Sequence, residues 1–338
     1  MARRFIGSVL VAACGACTPV LDPPWLLTRE RELALRVEVV AQGGYGLPLD
    51  PGEPTVNEVL ALDTVRATPR IVGADGPVLL GDFSPQWYLC DIGSCLLGYD
   101  DLDLPPCELE VLAPESACAL PGGDTVEFQL GDFATSDNPD ELFGINRAPT
   151  LGFIASTPSG PGTEACLDNI VDRDPLSGCL WMERPLNLGS FGEFVAGLEA
   201  LGLSVDLSDS LLPLLDVPRN HNPSVETFTV TIDGEMAKSV HAGDTVRVPT
   251  GATVTVAYAP SDSDMDAYEV ELDGDVLQAQ DVFGGRWYAS REVSEFERVP
   301  FSTAVTWRAT QADPVTLHLV LSDDRGAEAW GWLDFDLD

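Results

Sequence analysis

Thr227-Phe228-Thr229-Val230-Thr231-Ile232 alternates apolar side chains with threonines. This period of two is typical of a β-strand that buries one face. It returns along the second half of the chain in short runs that are separated by turn residues. The apolar members of the later runs are Val254, Val256 and Tyr258; Tyr268, Val270 and Leu272; Val315, Leu317, Leu319 and Leu321; and Leu333, Phe335 and Leu337. Such a series predicts an antiparallel β-sandwich over residues 221–338.

The first half of the chain carries a similar but less regular pattern. Its clearest apolar runs are Leu33, Leu35, Val37 and Val39, and later Val126, Phe128 and Leu130. The segment Pro218-Arg219-Asn220-His221-Asn222-Pro223 is rich in turn residues and marks the expected domain boundary. We therefore predict an all-β chain of two antiparallel sandwiches in series, the first over residues 32–220.

One helix is predicted in the first domain, within a loop-rich insertion over residues 136–217. Ser190 and Glu193 have the spacing of a capping box, and Gly202 follows as a stop signal. The apolar face between these signals comprises Phe191, Phe194, Val195, Leu198 and Leu201. We expect this face to pack against the first sandwich; a helix that binds a partner is the alternative.

Four motifs accompany the predicted strands of the second domain. They are Asn222-Pro223, Gly243-Asp244-Thr245-Val246, the acidic stretch from Ala259 to Asp266, and Leu319-Val320-Leu321-Ser322-Asp323-Asp324-Arg325-Gly326. Together they resemble the motifs of bacterial PKD-like and cadherin-like repeats, over residues 223–338. Residues 32–90 are similar more weakly, with Trp87 where such domains place a core tryptophan. The resemblance implies an immunoglobulin-like fold for both sandwiches.

An acidic loop in this resemblance is a candidate calcium site. Asp262, Asp264 and Asp266 would present three carboxylates, the ligands that a hard cation prefers. Comparable loops in cadherin-like repeats bind calcium at domain junctions, although Met265 stands where those repeats often have Gly. Further oxygen ligands at the boundary would be Asp216, Asn220 and Asn222. Calcium is the one cofactor considered; the alternative is a solvated loop and no cofactor.

A second candidate site is a pair of tryptophans in the last predicted strand. Trp330 and Trp332 fall on the face opposite Leu333 if the alternation holds. Two tryptophans on an outward face could stack on sugar rings or on a partner protein. The alternative is packing beneath the segment that carries Trp287 and Trp307.

Six of the eight cysteines lie between residues 90 and 179, namely Cys90, Cys95, Cys107, Cys118, Cys166 and Cys179. An even set in an exported chain predicts three disulfides. Six cysteines allow 15 pairings, and we expect nearest neighbours to pair. The gaps between these cysteines do not match a zinc site.

The beginning of the chain has the pattern of an export signal. Arg3 and Arg4 precede a short apolar run, which ends in Val11-Ala12-Ala13-Cys14. This ending resembles the bacterial lipobox and implies a signal peptide over residues 1–13 and a lipid on Cys14. A plain signal peptide is the alternative. Residues 14–31 would form a tether, and Gly15 would direct the lipoprotein to the outer membrane.

The charge balance narrows the possible partners. The chain carries 18 Lys and Arg against 55 Asp and Glu, for a net charge of −37. Such an acidic surface repels phosphate backbones, so we expect no nucleic-acid partner.

The overall layout resembles that of uncharacterised bacterial surface lipoproteins. We therefore expect a non-catalytic structural or binding module at the outer membrane or cell surface, held by its lipid, with an unknown protein or glycan partner. A glycan-binding or polysaccharide-hydrolysing lipoprotein is the alternative.

Overall fold

A computed structural model describes residues 23–46, 48–49, 55–90, 104–107, 117–131, 149–202, 212, 215–260, 265, 267–272, 275–310 and 313–338. The protein is all-β, as predicted, with two α-helices in this part of the chain. In the first half the elements are β1 (Arg31–Ala41), β2 (Glu58–Val59), β3 (Thr64–Gly73), β4 (Gly76–Val78), β5 (Gln86–Cys90), β6 (Ala117–Leu120), β7 (Val126–Gln129), β8 (Thr150–Ser156), α1 (Thr163–Asp172), β9 (Cys179–Pro185), β10 (Asn187–Leu188) and α2 (Phe191–Ala200).

The first sandwich packs two sheets against each other. In one sheet β3 pairs with β1 along one side and with β4 and β7 along the other; the second sheet has the order β6-β5-β8-β9. The shared core contains the alternating residues Leu35, Val37 and Val39. Trp87 is fully buried in this core, where it lies 5.1 Å from the ring of Phe153. The weak alternation of the first half therefore indicated the inward face correctly for these three residues. It was wrong for Leu33, which packs outside this core at an irregularity of β1 between Glu32 and Ala34.

The segment over residues 136–217 is more than a helical insertion. It contributes β8 and β9 to the second sheet, and β8 lies between β5 and β9. The sequence analysis missed β8 because six of its seven residues are buried, so no polar residues alternate with the apolar ones. It also missed α1, which packs on the outer face of this sheet through Cys166 and Ile170.

The predicted helix is α2, and it packs against the first domain as expected. Ser190 is its N-cap, and the Ser190 Oγ accepts a hydrogen bond from the Glu193 backbone N–H at 3.4 Å. Phe194 packs on the ring of Tyr45 at 5.4 Å. Gly197 is required here, because a Cβ at that position would lie 2.4 Å from the Tyr45 carbonyl oxygen. The predicted apolar face is wrong in one residue, since Leu201 is exposed.

The second domain contains eleven strands in the described residues. They are β11 (Thr227–Ile232), β12 (Lys238–His241), β13 (Thr245–Val248), β14 (Thr253–Ala257), β15 (Ala267–Leu272), β16 (Asp275–Gln280), β17 (Gly284–Ala289), β18 (Ser294–Arg298), β19 (Ala304–Arg308), β20 (Val315–Ser322) and β21 (Glu328–Leu337). One sheet has the order β12-β11-β14-β19-β18 and the other β13-β21-β20-β17, while β15 and β16 form a separate hairpin.

This strand order is immunoglobulin-like. Strands β11, β14, β19 and β18 take the places of A, B, E and D, and β17, β20 and β21 take those of C, F and G. The parallel pairing of β13 with β21 places the motif Gly243-Asp244-Thr245-Val246 beside the last strand. Trp287 on β17 and Trp307 on β19 are both buried between the sheets. They belong to the core of this sandwich and do not cover Trp330 or Trp332.

The end of the predicted tether is part of the fold. The Leu27 N–H donates to the Ala289 carbonyl at 2.9 Å, and the Ala289 N–H donates to the Trp25 carbonyl at 2.9 Å. Trp25 also packs on Phe296 of β18 at 4.5 Å. Residues 25–27 thus extend the edge of β17 in the second sandwich before the chain enters β1 of the first. The prediction of a free tether up to residue 31 is wrong over this stretch.

Candidate functional site

The two sandwiches meet at an extensive contact, which we call the joint. The outward face of β17, β20 and β21 lies against β1 and β3 of the first sandwich. The apolar part of the joint consists of Leu27, Leu33, Ala34 and Val72 together with Tyr288, Val320 and Trp330. Burial of these side chains makes the contact a second, smaller core between the domains.

The predicted tryptophan platform lies in this joint. Trp330 and Trp332 are on the face of β21 opposite Leu333, as the alternation predicted. Trp330 packs into the apolar part of the joint, and the guanidinium of Arg70 lies 4.8 Å from the centre of a Trp332 ring. Both side chains are half-buried, so the first sandwich and not a sugar ring occupies this face.

His318 is the most unusual polar group of the joint. It pairs with Trp332 and Tyr288 on the neighbouring strands, and only 2% of it is exposed. Neither ring nitrogen has a hydrogen-bond partner among the residues that the structure describes. Burial, and to a lesser extent the nearby positive charge of Arg70, together lower the pKa of His318 to about 3. The imidazole is therefore neutral at physiological pH.

Glu328 crosses the joint from the start of β21. Its Oε2 atom accepts hydrogen bonds from the Leu35 N–H and from Arg184 Nη1, each at 3.0 Å. Its Oε1 atom accepts from Arg286 Nη2 at 2.8 Å. Arg184 Nη1 also donates to the Leu35 carbonyl. Two guanidinium groups therefore neutralise this carboxylate, and it fixes β21 against β1 and β9.

Glu58 forms a second polar connection, through the domain boundary. Its carboxylate accepts a hydrogen bond from the Asn220 N–H at 2.8 Å and lies 3.8 Å from Arg325 Nη1. Asn220 Nδ2 donates to Asp323 at 2.9 Å. Burial raises the pKa of Glu58 to about 7, and the attraction of Arg325 only partly opposes that increase.

Arg325 and Arg219 hold the boundary segment from either side. Arg325, in the turn between β20 and β21, donates to the Pro218 carbonyl at 2.8 Å and to Asp281 at 2.9 Å. Arg219 is buried and donates to Asp63 at 2.6 Å and to the Glu58 carbonyl at 2.9 Å. Residues 218–220 are therefore bound to both sandwiches, and the predicted boundary is a structural part of the joint.

Sequence analysis missed this network for a physical reason. Glu58 and Glu328 are two among 55 acidic residues, and nothing in their neighbouring residues distinguishes them. Two signals were present: Asn220 and Asn222 between two prolines at the predicted boundary, and Asp323 and Arg325 in the motif that ends at Gly326. Asn222 now has a role there, because its Nδ2 donates to the Val37 carbonyl at 2.8 Å.

The disulfide prediction is confirmed where the structure describes both partners. Cys107 is bonded to Cys118, and Cys166 is bonded to Cys179. Cys90 is also disulfide-bonded. Cys95 lies outside the described residues. The Cys166–Cys179 bond ties α1 to the beginning of β9.

The remaining predicted sites fall outside the described part of the chain. They are the lipidation site Cys14 and the calcium candidates Asp262, Asp264 and Asp266. Among the residues that the structure does describe, no three metal-ligating side chains form a group. Neither described helix is long and apolar enough to cross a bilayer.

Two grooves in the described residues of the second sandwich open to solvent. One, of about 460 Å³, lies between the edge strands β12 and β13 and has Val230, Val240 and Val246 in its wall. Its rim carries charges of both signs, including Lys238, Arg247 and Asp244. The other, of about 250 Å³, lies between β17 and the turn that follows β18.

Comparisons with known proteins yield only weak likenesses. No family model and no curated protein matches the chain. One matching structure is a nucleoside hydrolase-related hypothetical protein from Saccharophagus degradans, associated with carbohydrate metabolism, at 13% identity and a TM-score of 0.23; the match covers 55% of this chain and 40% of that one. Another is dimeric latent PorU from Porphyromonas gingivalis, at 12% identity and a TM-score of 0.20, covering 92% and 24%. The chain thus spans less than half the length of either protein.

Proposed function

We propose that this protein is a lipid-anchored, non-catalytic module of the outer membrane or cell surface, which displays two immunoglobulin-like sandwiches as one rigid unit. The observation that carries this proposal is the joint. Apolar packing, the Glu328 contacts and the bound boundary segment all resist movement between the sandwiches. Domains with a small polar contact ordinarily move relative to each other. The joint differs because it has an apolar core as well as polar contacts, so it is suited to presenting a surface at a fixed orientation.

The membrane part of the proposal rests on the N-terminal pattern that ends in Cys14. Three features support an exported, anchored form: the lipobox-like Val11-Ala12-Ala13-Cys14, the two described disulfides, and the pairing of residues 25–27 with β17, which fixes the chain to the second sandwich eleven residues after Cys14. Disulfides persist in oxidising compartments outside the cytoplasm. The glycan-binding alternative loses its main support, since Trp330 and Trp332 lie in the joint.

Detergent phase partitioning of the exported protein tests the anchor. We expect the unaltered chain and the Cys17→Ser variant to enter the detergent phase, and the Cys14→Ser variant to stay in the aqueous phase. The second cysteine is the matched control, since it lies three residues away on the same segment. A Cys14→Ser protein that still enters the detergent phase would refute lipidation at this residue.

A further inference from the structure

The turn between β18 and β19 exposes apolar side chains to solvent. Val299 is 69% exposed and Phe301 is 76% exposed. Val282, just before β17, is 66% exposed. We call residues 299–301 the apolar loop; together with Arg286 and Arg298 it lines the 250 Å³ groove beside β17. Exposed apolar residues that cluster in this way mark contact surfaces more often than isolated ones do.

The fold holds the apolar loop in position. A Cβ on Gly285 would lie 2.4 Å from the Ser302 carbonyl oxygen, so the loop can approach β17 only where that strand has glycine. Phe301 itself has a φ of 62°, a conformation that is unusual for a bulky residue. The Ser302 N–H closes the turn by donating to the Val299 carbonyl at 3.0 Å. The loop therefore projects its apolar side chains from a fixed base.

The apolar loop is close to the point where the N-terminal segment joins the fold. Trp25 packs on Phe296 of β18, and Phe301, five residues further along, is at most about 18 Å from Phe296. Pro23 is nine residues after Cys14, so an anchored Cys14 lies within about 32 Å of Pro23 whatever the conformation of the chain between them. Lipid at Cys14 therefore brings the bilayer within reach of this edge of the second sandwich.

The charges at this edge permit such an approach. Two arginines, Arg286 and Arg298, line the groove in a chain with a net charge of −37. Arg286 is paired with Glu328, and the exposed Glu295 and Glu297 lie on β18 beside Arg298, so the charge at this edge is mixed and not strongly basic. An anionic membrane would repel the rest of the surface, whereas a zwitterionic membrane would not. Valine and phenylalanine gain from entering the apolar side of the membrane interface.

We propose that the apolar loop, through Val299 and Phe301, inserts into the interfacial layer of a zwitterionic bilayer and holds the second sandwich at a fixed orientation against it. This inference rests on the proposed lipid anchor, which supplies the bilayer at short range. An anchored chain encounters the surface at a high effective concentration, so a weak apolar contact is enough.

Quenching of tryptophan fluorescence by brominated phosphatidylcholine tests the proposal. The acylated full-length protein is reconstituted into these vesicles as the unaltered chain, the Phe301→Trp variant and the Met236→Trp variant. Met236 is the matched control: it is 88% exposed and follows β11, near the edge of the five-stranded sheet opposite to β18. An interfacial side chain lies about 5–10 Å into the headgroup and acyl boundary, so we expect the added emission of the Phe301→Trp protein to fall roughly twofold or more.

The possible outcomes distinguish a failure of the loop contact from a failure of the lipid anchor. A drop in the Phe301→Trp protein without one in the Met236→Trp protein supports the proposal. Vesicle-bound protein with equal quenching in both variants overturns the loop contact and leaves the anchor intact. An unaltered chain that does not associate with vesicles overturns both. Protein that dimerises on the vesicles and keeps its Phe301→Trp emission shows that a second copy covers the loop, which also overturns the proposal.

Discussion

Glu328 of the second sandwich and Arg184 of the first form an ion pair across the joint at 3.0 Å, and both side chains are largely buried. The same carboxylate binds Arg286 and the backbone of β1. A buried carboxylate is stable only when hydrogen bonds and counter-charges replace the lost water. Arg184 and the Leu35 N–H reach Glu328 only while the sandwiches are joined, so these two contacts stabilise the joined state.

Replacement of Glu328 by Gln is expected to destabilise the protein. It leaves the Arg184 guanidinium without its counter-charge, and loss of one partner of a buried pair typically costs about 3–5 kcal/mol. Chemical denaturation at pH 7.5 measures the change in the free energy of unfolding. Glu295→Gln is the control, since Glu295 pairs with Arg308 on the surface at 3.4 Å and such pairs contribute less than about 1 kcal/mol. Equal effects of the two substitutions would contradict the structural role of Glu328.

The disulfides give a second prediction about stability. The Cys166–Cys179 bond has a sequence separation of 13 and the Cys107–Cys118 bond one of 11. Closing loops of this length contributes roughly 2–4 kcal/mol each, largely by restricting the unfolded chain. We expect alkylation of the exported, non-reduced protein to modify none of the six cysteines between 90 and 179, and reduction to lower the melting temperature. Mass spectrometry before and after reduction counts the bonds, and six reactive thiols without reduction would refute them.

How far the sequence predicted the fold depended on whether its strands have a polar face. The runs containing Phe228 and Val254 alternate because one side of each strand meets solvent, and their sandwich was predicted correctly. Strand β8 has no such face, so its sequence does not alternate between apolar and polar residues and gives no sign of a strand. Residues 25–27 pair with β17 through backbone atoms, and a backbone contact leaves little trace in the side-chain pattern.

The joint shows the same limit for functional sites. The alternation correctly placed Trp330 and Trp332 on the outward face of β21, but it could not show that another domain covers that face. Arg184 and Glu328 are 144 residues apart in sequence. Their pairing depends on the packing of two complete sandwiches, and that information is not local.

His318 makes the joint sensitive to acid. Its pKa is about 3 in the folded protein against an ordinary value of 6.5. Between these values the unfolded chain binds the additional proton, so the free energy of unfolding falls as the pH falls, by up to about 1.4 kcal/mol per pH unit. The stability from this group is fully present above pH 6.5.

We therefore expect His318→Leu to remove the contribution of this group to the dependence of stability on pH. The leucine leaves no unpartnered ring nitrogens, so the variant should also be more stable at pH 7.5, by about 1 kcal/mol. Its advantage over the unaltered chain should widen as the pH falls below 6.5. Urea denaturation at pH 7.5, 6.0 and 5.0 measures the difference in free energy of unfolding between the variant and the unaltered chain. His241→Leu is the control, since that side chain is 80% exposed. A difference in free energy of unfolding that does not change with pH would show that His318 is not held neutral in the joint.

Glu58 should act in the opposite direction over nearly the same range. Its pKa is about 7 in the folded protein against an ordinary value of 4.5, because burial outweighs the attraction of Arg325. The folded chain therefore holds the additional proton between pH 4.5 and 7, and the free energy of unfolding falls as the pH rises through this range. Glu58→Gln mimics the protonated form and still offers an acceptor to the Asn220 N–H. We expect the free energy of unfolding of the variant to match that of the unaltered chain most closely below pH 4.5. Between pH 4.5 and 7 the variant should become more stable than the unaltered chain, by up to about 1.4 kcal/mol per pH unit.

Glu58 and His318 have opposite effects on stability between pH 4.5 and 6.5. Either single variant should therefore show a steeper dependence of stability on pH than the unaltered chain, and the double variant, His318→Leu with Glu58→Gln, should show a flat one. The same urea series, with a further point at pH 4.0, measures the free energy of unfolding of all four proteins. Parallel curves for the unaltered chain and the Glu58→Gln variant would mean that Glu58 stays ionised in the joint, with Arg325 compensating fully for its burial.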